Sequence, residues 1–348
     1  MNVVKKHVNG LRMGEIQLYK SIGIAPLIAS DSSLDHIVLS DALNQGFKIT
    51  EKKEGASVPF LHVVNQSGKY VLAIAGEYVV GGLQNRTLMR NIYFDKNFEG
   101  DIPVRCIEQG RWNQPVQQEP EEEPMPLPPE HPDVVGPRPR RKERQEVPVF
   151  RAEGHTPVSA LYCASDQAET WGEIHNLMST TRTKSFSRNL GDIYRQRRAD
   201  LEEYIKNFPI IDDNQVGVLV IISKDGRKIF NLDLFDRKEI FGKHHRNLIS
   251  SYAVESGLKE NGTAELTKKE AQGFLSCIED YTFSRQQSIG SGEDYLLSRG
   301  NFEGSTLVFN KGFVYLNLHS KREDKPRDLD ISSLGDVLRP QTGFGREF

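Results

Sequence analysis

The chain has 348 residues, of which 37% are hydrophobic and 27% are charged, and its formal net charge is −3. That is enough apolar material for two domains or one large composite domain, and a charge near zero argues neither for nor against nucleic acid. The three cysteines form no CxxC pair and no zinc spacing, which favours reduced, buried thiols. The first residues, "MNVVKKHVNG", have two lysines but no apolar run after them, so we expect no secretory signal, and no stretch of the sequence has the apolar length that a membrane helix needs. We therefore expect a cytoplasmic protein without a membrane partner, and we do not expect a nucleic-acid partner.

Residues 1–113 are predicted to be a β-rich part. A short helix capped by Ser40 and ended at Gly46 is followed by the strand "GFKITE". The stretch "VPFLHVVNQSGKYVLAIAGEYVVGG" predicts two or three strands, with a turn at residues 66–69 and strand ends at Gly76 or at the Gly81-Gly82 pair. A further strand is predicted within "IPVRCIEQGRW".

Residues 114–149 are predicted to be a proline-rich, charged linker or insertion. Ten of the seventeen prolines lie in residues 115–148, together with an acidic run and a basic run. Proline at this density disfavours helices and sheet ladders, and few large apolar residues remain to be buried. The sequence favours a disordered, solvated spacer here, and a docking segment for a protein partner is the alternative.

Residues 150–322 are predicted to form an α/β part with two hairpins, followed by a tail at 323–348. One helix begins at a Ser165 or Asp166 cap, and a second is expected across "LGDIYRQRRADLEEYIKNF". A third follows "DLFD", with Asp236 as its cap, and a fourth opens with Thr267 and Glu270 in capping-box spacing. We expect this part to complete one composite domain with the first.

Two stretches share one hairpin pattern, "LVIISKDGRKIFNLDLFD" and "STLVFNKGFVYLNLHS". Asp225-Gly226 marks the first turn, and hairpins of similar design suit neighbouring places in one antiparallel sheet. Within "LDLF", Asp233 alternates with apolar residues and is expected to face away from them. The fold class predicted for the whole chain is α+β, with mostly antiparallel sheets, packed helices and the proline-rich disordered segment as an interruption.

Polar residues directly after the double glycine form the first candidate site. Gln84 and Asn85 carry donors and acceptors, and Arg86 carries a forked cation, so together they suit a nucleobase or ribose edge and a pyrophosphate. The alternative is an ordinary β-turn whose polar side chains satisfy local groups.

Three more groups of residues complete the candidates. Glu77 and Glu108 are candidate general bases, each with salt bridging as the alternative. Arg111 and Trp112 are candidate ligand contacts beside Glu108, and the indole has capping of the core as its alternative. Gln167 and Trp171 lie four residues apart on one helix face and are candidates to line a pocket, although a core role for the tryptophan is the commoner one. The basic stretch 181–198 is a candidate to bind phosphate groups, and a solvent-exposed helix face is the alternative. The pair His244-His245 has no further ligand at metal spacing. We therefore expect no metal, and we expect no cofactor.

These motifs together resemble a known family. "GEYVVGGLQNR", "IPVRCIEQGRW", "SDQAETWGEI" and "LDLFD" followed by "LISSYA" come in this order, and the order is similar to that of the ARG-and-rhodanese-phosphatase-superfamily-associated protein domain. The resemblance covers most of the chain outside the linker. It implies a link to NAD or ADP-ribose metabolism and no demonstrated reaction.

Two functions of different classes follow as hypotheses. The first is the binding or hydrolysis of an ADP-ribose-type nucleotide, with Glu77 or Glu108 as general base and Arg86 or Arg111 facing phosphate. The second is a non-catalytic scaffold whose proline-rich segment docks a partner. A polar pocket that joins residues 76–112 favours the first, and a flat, filled surface favours the second.

Overall fold

The computed structural model describes residues 2–32, 34–52, 59–110, 150–162, 164–258 and 263–321. Within these ranges the chain forms eight α-helices, one short 3-10 helix and eighteen β-strands. The predicted linker 114–149 and tail 323–348 lie outside the described residues, as do the candidate ligand contacts Arg111 and Trp112.

The helices and strands are numbered in chain order. The helices are α1 (Asn2–Asn9), α2 (Leu39–Leu43), α3 (Val158–Leu161), α4 (Gln167–Thr180), α5 (Gly191–Gln196), α6 (Arg198–Asn207), α7 (Lys238–Ser256) and α8 (Lys268–Ser276), with the 3-10 helix at Cys277–Asp280. The strands of the first part are β1 (Arg12–Met13), β2 (Gln17–Tyr19), β3 (Ile22–Ile28), β4 (His36–Val38), β5 (Phe47–Thr50), β6 (Phe60–Asn65), β7 (Tyr70–Ala73), β8 (Glu77–Val80), β9 (Arg86–Leu88), β10 (Ile92–Phe94) and β11 (Glu99–Cys106). Those of the second part are β12 (Arg151–His155), β13 (Gln215–Lys224), β14 (Arg227–Phe235), β15 (Thr282–Gln286), β16 (Glu293–Arg299), β17 (Phe302–Phe309) and β18 (Gly312–Ser320).

The strands form one large sheet and two smaller ones. The large sheet has the order β1-β3-β13-β14-β18-β17-β16-β15, with β2 also paired to β3. The smaller sheets are β10-β7-β4 and β12-β8-β9-β11-β6-β5. Strands from both sides of the predicted linker pair in two of these sheets, and among the described strands every pairing except β4–β7 is antiparallel. The α+β architecture with mostly antiparallel sheets is therefore confirmed.

The two hairpins predicted from the repeated pattern lie side by side in the large sheet. Strands β13 and β14 are joined at Asp225 and Gly226, both with positive φ (53° and 76°), as a tight two-residue hairpin turn requires. Strand β14 then pairs directly with β18 of the second hairpin. Asp233 stands opposite Asn317 in that pairing, so the similar sequences place polar side chains against each other.

Three rows of directly opposite side chains cross strands β14, β18 and β17 on one face of the sheet. The rows are Phe235–Tyr315–Leu307, Asp233–Asn317–Ser305 and Asn231–His319–Glu303. We call the second the middle row and the third the outer row. Tyr252 of α7 donates a hydrogen bond to Asp233, so this face, the inner face, looks toward α7. Two polar rows therefore lie on a sheet face that helices cover.

Helices cover both faces of the large sheet. The inner face packs against apolar side chains of α4, α5, α6 and α7, including Ile174, Ile193, Leu201 and Leu248. The outer face packs against α1 and α8, and a third apolar cluster lies among the strands of the smaller sheets. Since full burial of one such side chain contributes about 1.5–3 kcal/mol, these clusters hold the polar rows in place.

Helix starts were predicted with mixed success. Asp166 caps α4 by accepting from Glu169 N, and Thr267 with Glu270 forms the full capping box of α8, so both predictions are confirmed. The predicted Ser40 cap is wrong, because the cap position is Val38, two residues earlier, and Ser40 is the second residue of α2. The predicted Asp236 cap is also wrong, because α7 begins after Arg237 and the Asp236 carboxylate accepts from Ser32 Oγ instead.

The helix predicted across residues 190–208 is interrupted at Arg197. Its backbone leaves helical geometry there (φ −100°, ψ 18°), which separates α5 from α6. The Arg197 side chain donates from Nε to the carbonyl oxygen of Thr181 at 2.6 Å. The residues at helical spacing here are Ile193, Arg197, Leu201, Tyr204 and Phe208. The interruption therefore falls at the one charged residue of this set.

Candidate functional site

Glu77 lies at the start of β8, directly after a turn whose backbone is hydrogen-bonded to side chains from other parts of the chain. The Ala75 backbone donates from N to Asn91 Oδ1 at 2.7 Å and accepts at O from His155 Nε2 at 3.0 Å. Gly76 follows with φ +96°, a conformation that favours glycine. Glu77 Oε2 then accepts from the backbone N of Ile74 at 2.8 Å, which locks the carboxylate over its own turn. The turn leaves Glu77 Oε1 directed toward α7.

Glu77 forms a buried ion pair with His244 of α7. Glu77 Oε1 lies 3.4 Å from His244 Nε2, and the second ring nitrogen, Nδ1, lies 2.9 Å from the carbonyl oxygen of Ile240. Burial alone would lower the pKa of His244, but its contact with Glu77 and the charge of Glu77 outweigh burial, so the pKa is raised. The contact with Glu77 therefore favours the protonated form of the His244 ring.

His155 lies next to this pair, and its pKa is shifted in the opposite direction to that of His244. Its Nε2 donates to Ala75 O and its Nδ1 lies 3.4 Å from Ser251 Oγ, so a neutral ring satisfies both contacts. Burial lowers the pKa of His155, with the charges of Asp233 and Glu77 acting against it. Neighbouring histidines with pKa shifts in opposite directions are typical of acid–base sites.

Asp233 of the middle row accepts hydrogen bonds from two tyrosines. The hydroxyl of Tyr252 on α7 donates to one carboxylate oxygen, and the hydroxyl of Tyr315 on β18 donates to the other. Burial and then the charge of Asp233 raise the pKa of both tyrosines. We call Glu77, His155, His244 and Asp233 the Glu77 group; it lies where β8, β12, α7 and β14 meet.

Asn91 connects the middle row to the turn that holds Glu77. Its Nδ2 donates to Ser305 Oγ at 2.7 Å and to Asn317 Oδ1 at 2.9 Å, while its Oδ1 accepts from Ala75 N. One amide therefore joins the middle row to the turn.

Arg86 belongs to a second group, on β9. It is 0% exposed, its Nη1 donates to Gln84 Oε1 at 3.3 Å, and its Nη2 lies 3.9 Å from Glu51 Oε1. Within the described part of the chain, Arg86 Nε and Nη2 have no hydrogen-bond partner. Cys106 stands opposite Arg86 on β11, where burial raises the pKa of its thiol to about 11.

The other polar residues of this second group bond to nearby loops. Asn85 donates from Nδ2 to Asn189 Oδ1 at 3.2 Å, and Gln84 Nε2 lies 3.5 Å from the carbonyl oxygen of Gln109. Glu108 accepts from Asn85 N at 3.4 Å and from Ser187 Oγ at 3.1 Å. These contacts join the loop after β8 to the loop before α5. Gln84 and Asn85 therefore bond to residues that are distant in the sequence, Gln109 and Asn189.

Gln167 and Trp171 differ in their surroundings although they share a helix face. Gln167 brackets the end of β11, since its Oε1 accepts from Cys106 N and its Nε2 donates to Cys106 O, both at 2.8 Å. Trp171 is partly buried, and its Nε1 has no hydrogen-bond partner among the residues that the structure describes.

The predicted residues thus fall into two groups rather than one. Glu77 contacts His244 and Ile74, whereas Glu108 contacts Asn85 and Ser187 and Arg86 contacts Gln84 and Glu51. The sequence reasoning left out His155, His244, Tyr252 and Tyr315 as site residues. The signal that could have found part of the site is the alternation of polar and apolar residues in "NLDLF" and "LNLH", which marks polar rows on buried strands.

Solvent reaches the Glu77 group more readily than it reaches Arg86. Glu77 and Asp233 are each 7% exposed and His155 is 6% exposed, compared with 0% for Arg86. Two surface grooves of about 310 and 190 Å³ are lined by α1 and its neighbours and include no residue of either group. Among the described residues, no set of three or more His, Cys, Asp or Glu side chains is placed to hold a metal ion, and no helix is long and apolar enough to cross a bilayer.

Comparison with known proteins identifies the family. No curated protein and no solved structure matches the chain. The family model described as ARG and Rhodanese-Phosphatase-superfamily-associated Protein domain matches residues 10–319, which include every strand from β1 to β17 and all but one residue of β18. The chain therefore belongs to the ARG and Rhodanese-Phosphatase-superfamily-associated Protein domain family.

Proposed function

We propose that the chain binds an ADP-ribose-type nucleotide at the Glu77 group and hydrolyses it with Glu77 as the general base. The observation that carries the proposal is the buried pair of Glu77 and His244, 3.4 Å apart, beside a neutral His155. General acid–base catalysis needs one group that takes a proton from the reacting molecules and one that gives a proton to them, and a glutamate and a histidine can fill these two roles.

The choice of ligand rests on the chemistry of the middle row and on the family resemblance. Asp233 and Asn317 carry carboxylate and amide groups, which are types that pair with the hydroxyls of a ribose. In the free protein Asp233 accepts from Tyr252 and Tyr315, and Asn317 bonds to Asn91 and Tyr162, so a ribose would share or replace these bonds. The motif order that resembles the family implies a link to ADP-ribose metabolism. A nucleotide of that type carries ribose hydroxyls, so the two lines of reasoning converge on the same ligand class.

Glu77 is a stronger candidate for the base than Glu108. Glu77 faces the His244 ring and is 7% exposed, and the proposed reaction places a water molecule at this edge of the group. In the proposed reaction Glu77 takes a proton from that water while the water oxygen forms the new bond to the nucleotide. The bond between the attacked atom and the leaving group breaks, and its electron pair goes to the leaving group. The leaving group takes a proton from His244, whose pKa is raised by its contact with Glu77. Glu108, in contrast, connects two loops.

Calorimetry with ADP-ribose and NAD, together with chromatography of the reaction mixture, tests the proposal. The wild type is expected to bind at least one of the two and to release products. Glu77→Gln is expected to lower turnover by about 10²–10⁴-fold, the usual contribution of a positioned base, while binding changes little.

Glu239→Gln is the matched control, because Glu239 is an exposed glutamate on α7, the helix that carries His244. This variant should retain wild-type turnover. If the wild type binds neither nucleotide at millimolar concentration, the proposal is rejected and the scaffold function becomes the better one. If it binds but Glu77→Gln keeps full turnover, binding stands and the assignment of the base is wrong.

A further inference from the structure

The outer row, Asn231–His319–Glu303, runs from solvent into the protein. Asn231 is 1% exposed and His319 is 2% exposed, whereas the Glu303 side chain is 42% exposed. These residues stand directly opposite one another on β14, β18 and β17, at the distance where neighbouring side chains touch. Three polar side chains thus form a continuous strip with one end open to water.

The buried end of this strip carries polar atoms without partners. Within the described residues, neither the oxygen nor the nitrogen of the Asn231 amide has a hydrogen bond, and His319 Nδ1 also lacks one. A buried polar group left unsatisfied costs about 1–3 kcal/mol, and native proteins seldom keep several together. An amide with its donor and acceptor both open, next to an open ring nitrogen, indicates that a water molecule or a ligand occupies this position.

The surroundings of the strip restrict what that partner is. His319 Nε2 lies 3.4 Å from Glu303 Oε1, and Asp233 occupies the adjacent position of the middle row, so carboxylates flank the strip on two sides. A phosphate or carboxylate ligand would be repelled by these charges. Tyr162 stacks on His319 with ring centroids 4.3 Å apart, and its hydroxyl accepts from Asn317 Nδ2 at 3.2 Å. The strip is therefore shaped for a neutral group that both donates and accepts hydrogen bonds.

We propose that the outer row binds the vicinal hydroxyl groups of a sugar ring. One hydroxyl would accept from Asn231 Nδ2 and donate to Asn231 Oδ1 or His319 Nδ1, and the neighbouring hydroxyl would reach the middle row. The inference that this sugar is the ribose of a nucleotide rests on the proposed function. It adds to that function the residues that bind the ribose hydroxyls.

Free D-ribose and 2-deoxy-D-ribose serve as probes, with histidine ring signals followed by NMR in protein labelled on histidine. D-ribose is expected to shift the ring signals of His319 in a saturable manner and to leave those of the exposed His175 unchanged. The deoxy sugar should bind more weakly by about tenfold, the effect of losing one or two hydrogen bonds.

Asn231→Leu keeps the branched shape and the number of heavy atoms of the side chain and removes both open polar atoms. It is expected to weaken D-ribose binding by about tenfold or more. It should also leave the free protein as stable as the wild type or more stable, because an unsatisfied amide is gone. Asn207→Leu, on the exposed surface of α6, is the control and should change neither property.

The outcomes separate this inference from the proposed function. If D-ribose moves the His319 signals and ADP-ribose does not bind, the strip stands as a sugar site and the nucleotide proposal fails. If ADP-ribose binds equally well to the wild type and to Asn231→Leu, the nucleotide proposal stands and the strip is not its ribose site. If neither sugar nor ADP-ribose moves the His319 signals, the open atoms are held by water alone and the inference is overturned.

Discussion

Gly76 lies so close to the ring of His155 that a β-carbon at residue 76 would be 2.4 Å from His155 Cε1. Its backbone also has φ +96°, which L-residues with side chains rarely adopt. The double requirement explains why a glycine precedes the glutamate at the start of β8: it lets β12 approach the turn and brings His155 beside Glu77.

We expect Gly76→Ala to destabilise the protein through both effects. The backbone conformation costs about 1–3 kcal/mol, and displacement of the packed His155 ring adds about 1–3 kcal/mol. Urea denaturation measures the total. Gly226→Ala separates the two contributions, because Gly226 also has positive φ (76°) but has no atom within 4 Å of its would-be β-carbon. If the two variants lose the same free energy of unfolding, the close approach of His155 to Gly76 does not contribute.

Gln167 is expected to stabilise the fold by satisfying the backbone at the end of β11. Gln167→Glu keeps an acceptor for Cys106 N but leaves Cys106 O without its donor, so a loss of about 1–3 kcal/mol is expected. Gln167→Ala removes both bonds and should cost more. The control is Gln272→Ala on the exposed side of α8, which should change the free energy of unfolding by less than about 0.5 kcal/mol. Thermal and urea denaturation of all three variants give the comparison.

Features fixed by a few neighbouring residues could be predicted from the sequence. The β13–β14 turn depends on Asp225-Gly226, and the capping box of α8 depends on Thr267 and Glu270. Such signals lie within a few positions, so no knowledge of the tertiary structure is needed. The wrong cap at Asp236 shows the limit, because the Ser32 hydroxyl that occupies its carboxylate comes from a distant part of the chain.

The candidate site depends on contacts that sequence patterns do not specify. Glu77 and His244 are far apart along the chain and meet because β12 pairs with β8 and α7 packs against β13. The polarity of Glu77 and Asp233 on apolar strands could be seen in the sequence, but the partner of each residue could not. The burial of Arg86 could not be predicted either, because the sequence pattern of a cation after a double glycine does not show whether the side chain is exposed or buried.

Arg86 is expected to have a structural role that stability measurements will reveal. It is fully buried, and removing one member of a buried ion pair typically costs about 3–5 kcal/mol because the other charge is left without compensation. Arg86→Met should therefore lower the free energy of unfolding strongly, and Arg86→Lys, which cannot form the fork toward Gln84 and Glu51, should lower it less. Binding of ADP-ribose per folded molecule should remain as in the wild type.

The double variant Arg86→Met with Glu51→Gln provides the matched control for this prediction. Neutralising Glu51 removes the uncompensated charge while an acceptor for Leu83 N is kept, so part of the stability should return. Calorimetry at fixed salt distinguishes the opposite case. If Arg86→Met folds as stably as the wild type but binds ADP-ribose more weakly by about 1.5–3 kcal/mol, Arg86 contacts the ligand and the structural assignment is wrong.

Asp236 is expected to make stability depend on pH. Its carboxylate is 0% exposed, and burial raises its pKa from 3.8 to about 7, although the Ser32 hydrogen bond and the charge of Arg237 act in the other direction. Between about pH 4 and 7 the folded protein therefore holds a proton that the unfolded chain has lost. The free energy of unfolding should fall as pH rises through this range, by up to about 1.4 kcal/mol per pH unit from this group.

His36, beside Asp236, changes the pH dependence of stability in the opposite direction. The Asp236→Asn variant should make this contribution of His36 visible. Burial lowers the pKa of His36 to about 3, so below about pH 6.5 the unfolded chain binds a proton that the folded protein does not, and stability from His36 rises with pH. Asp236→Asn removes the falling contribution and should make the free energy of unfolding rise more steeply with pH than in the wild type. Asp213→Asn, which changes an exposed carboxylate, should leave the wild-type profile unchanged. Urea denaturation at several pH values between about 4.5 and 7.5 decides the matter. Parallel profiles for the wild type and Asp236→Asn would show that Asp236 is ionised across this range and that its burial does not control stability.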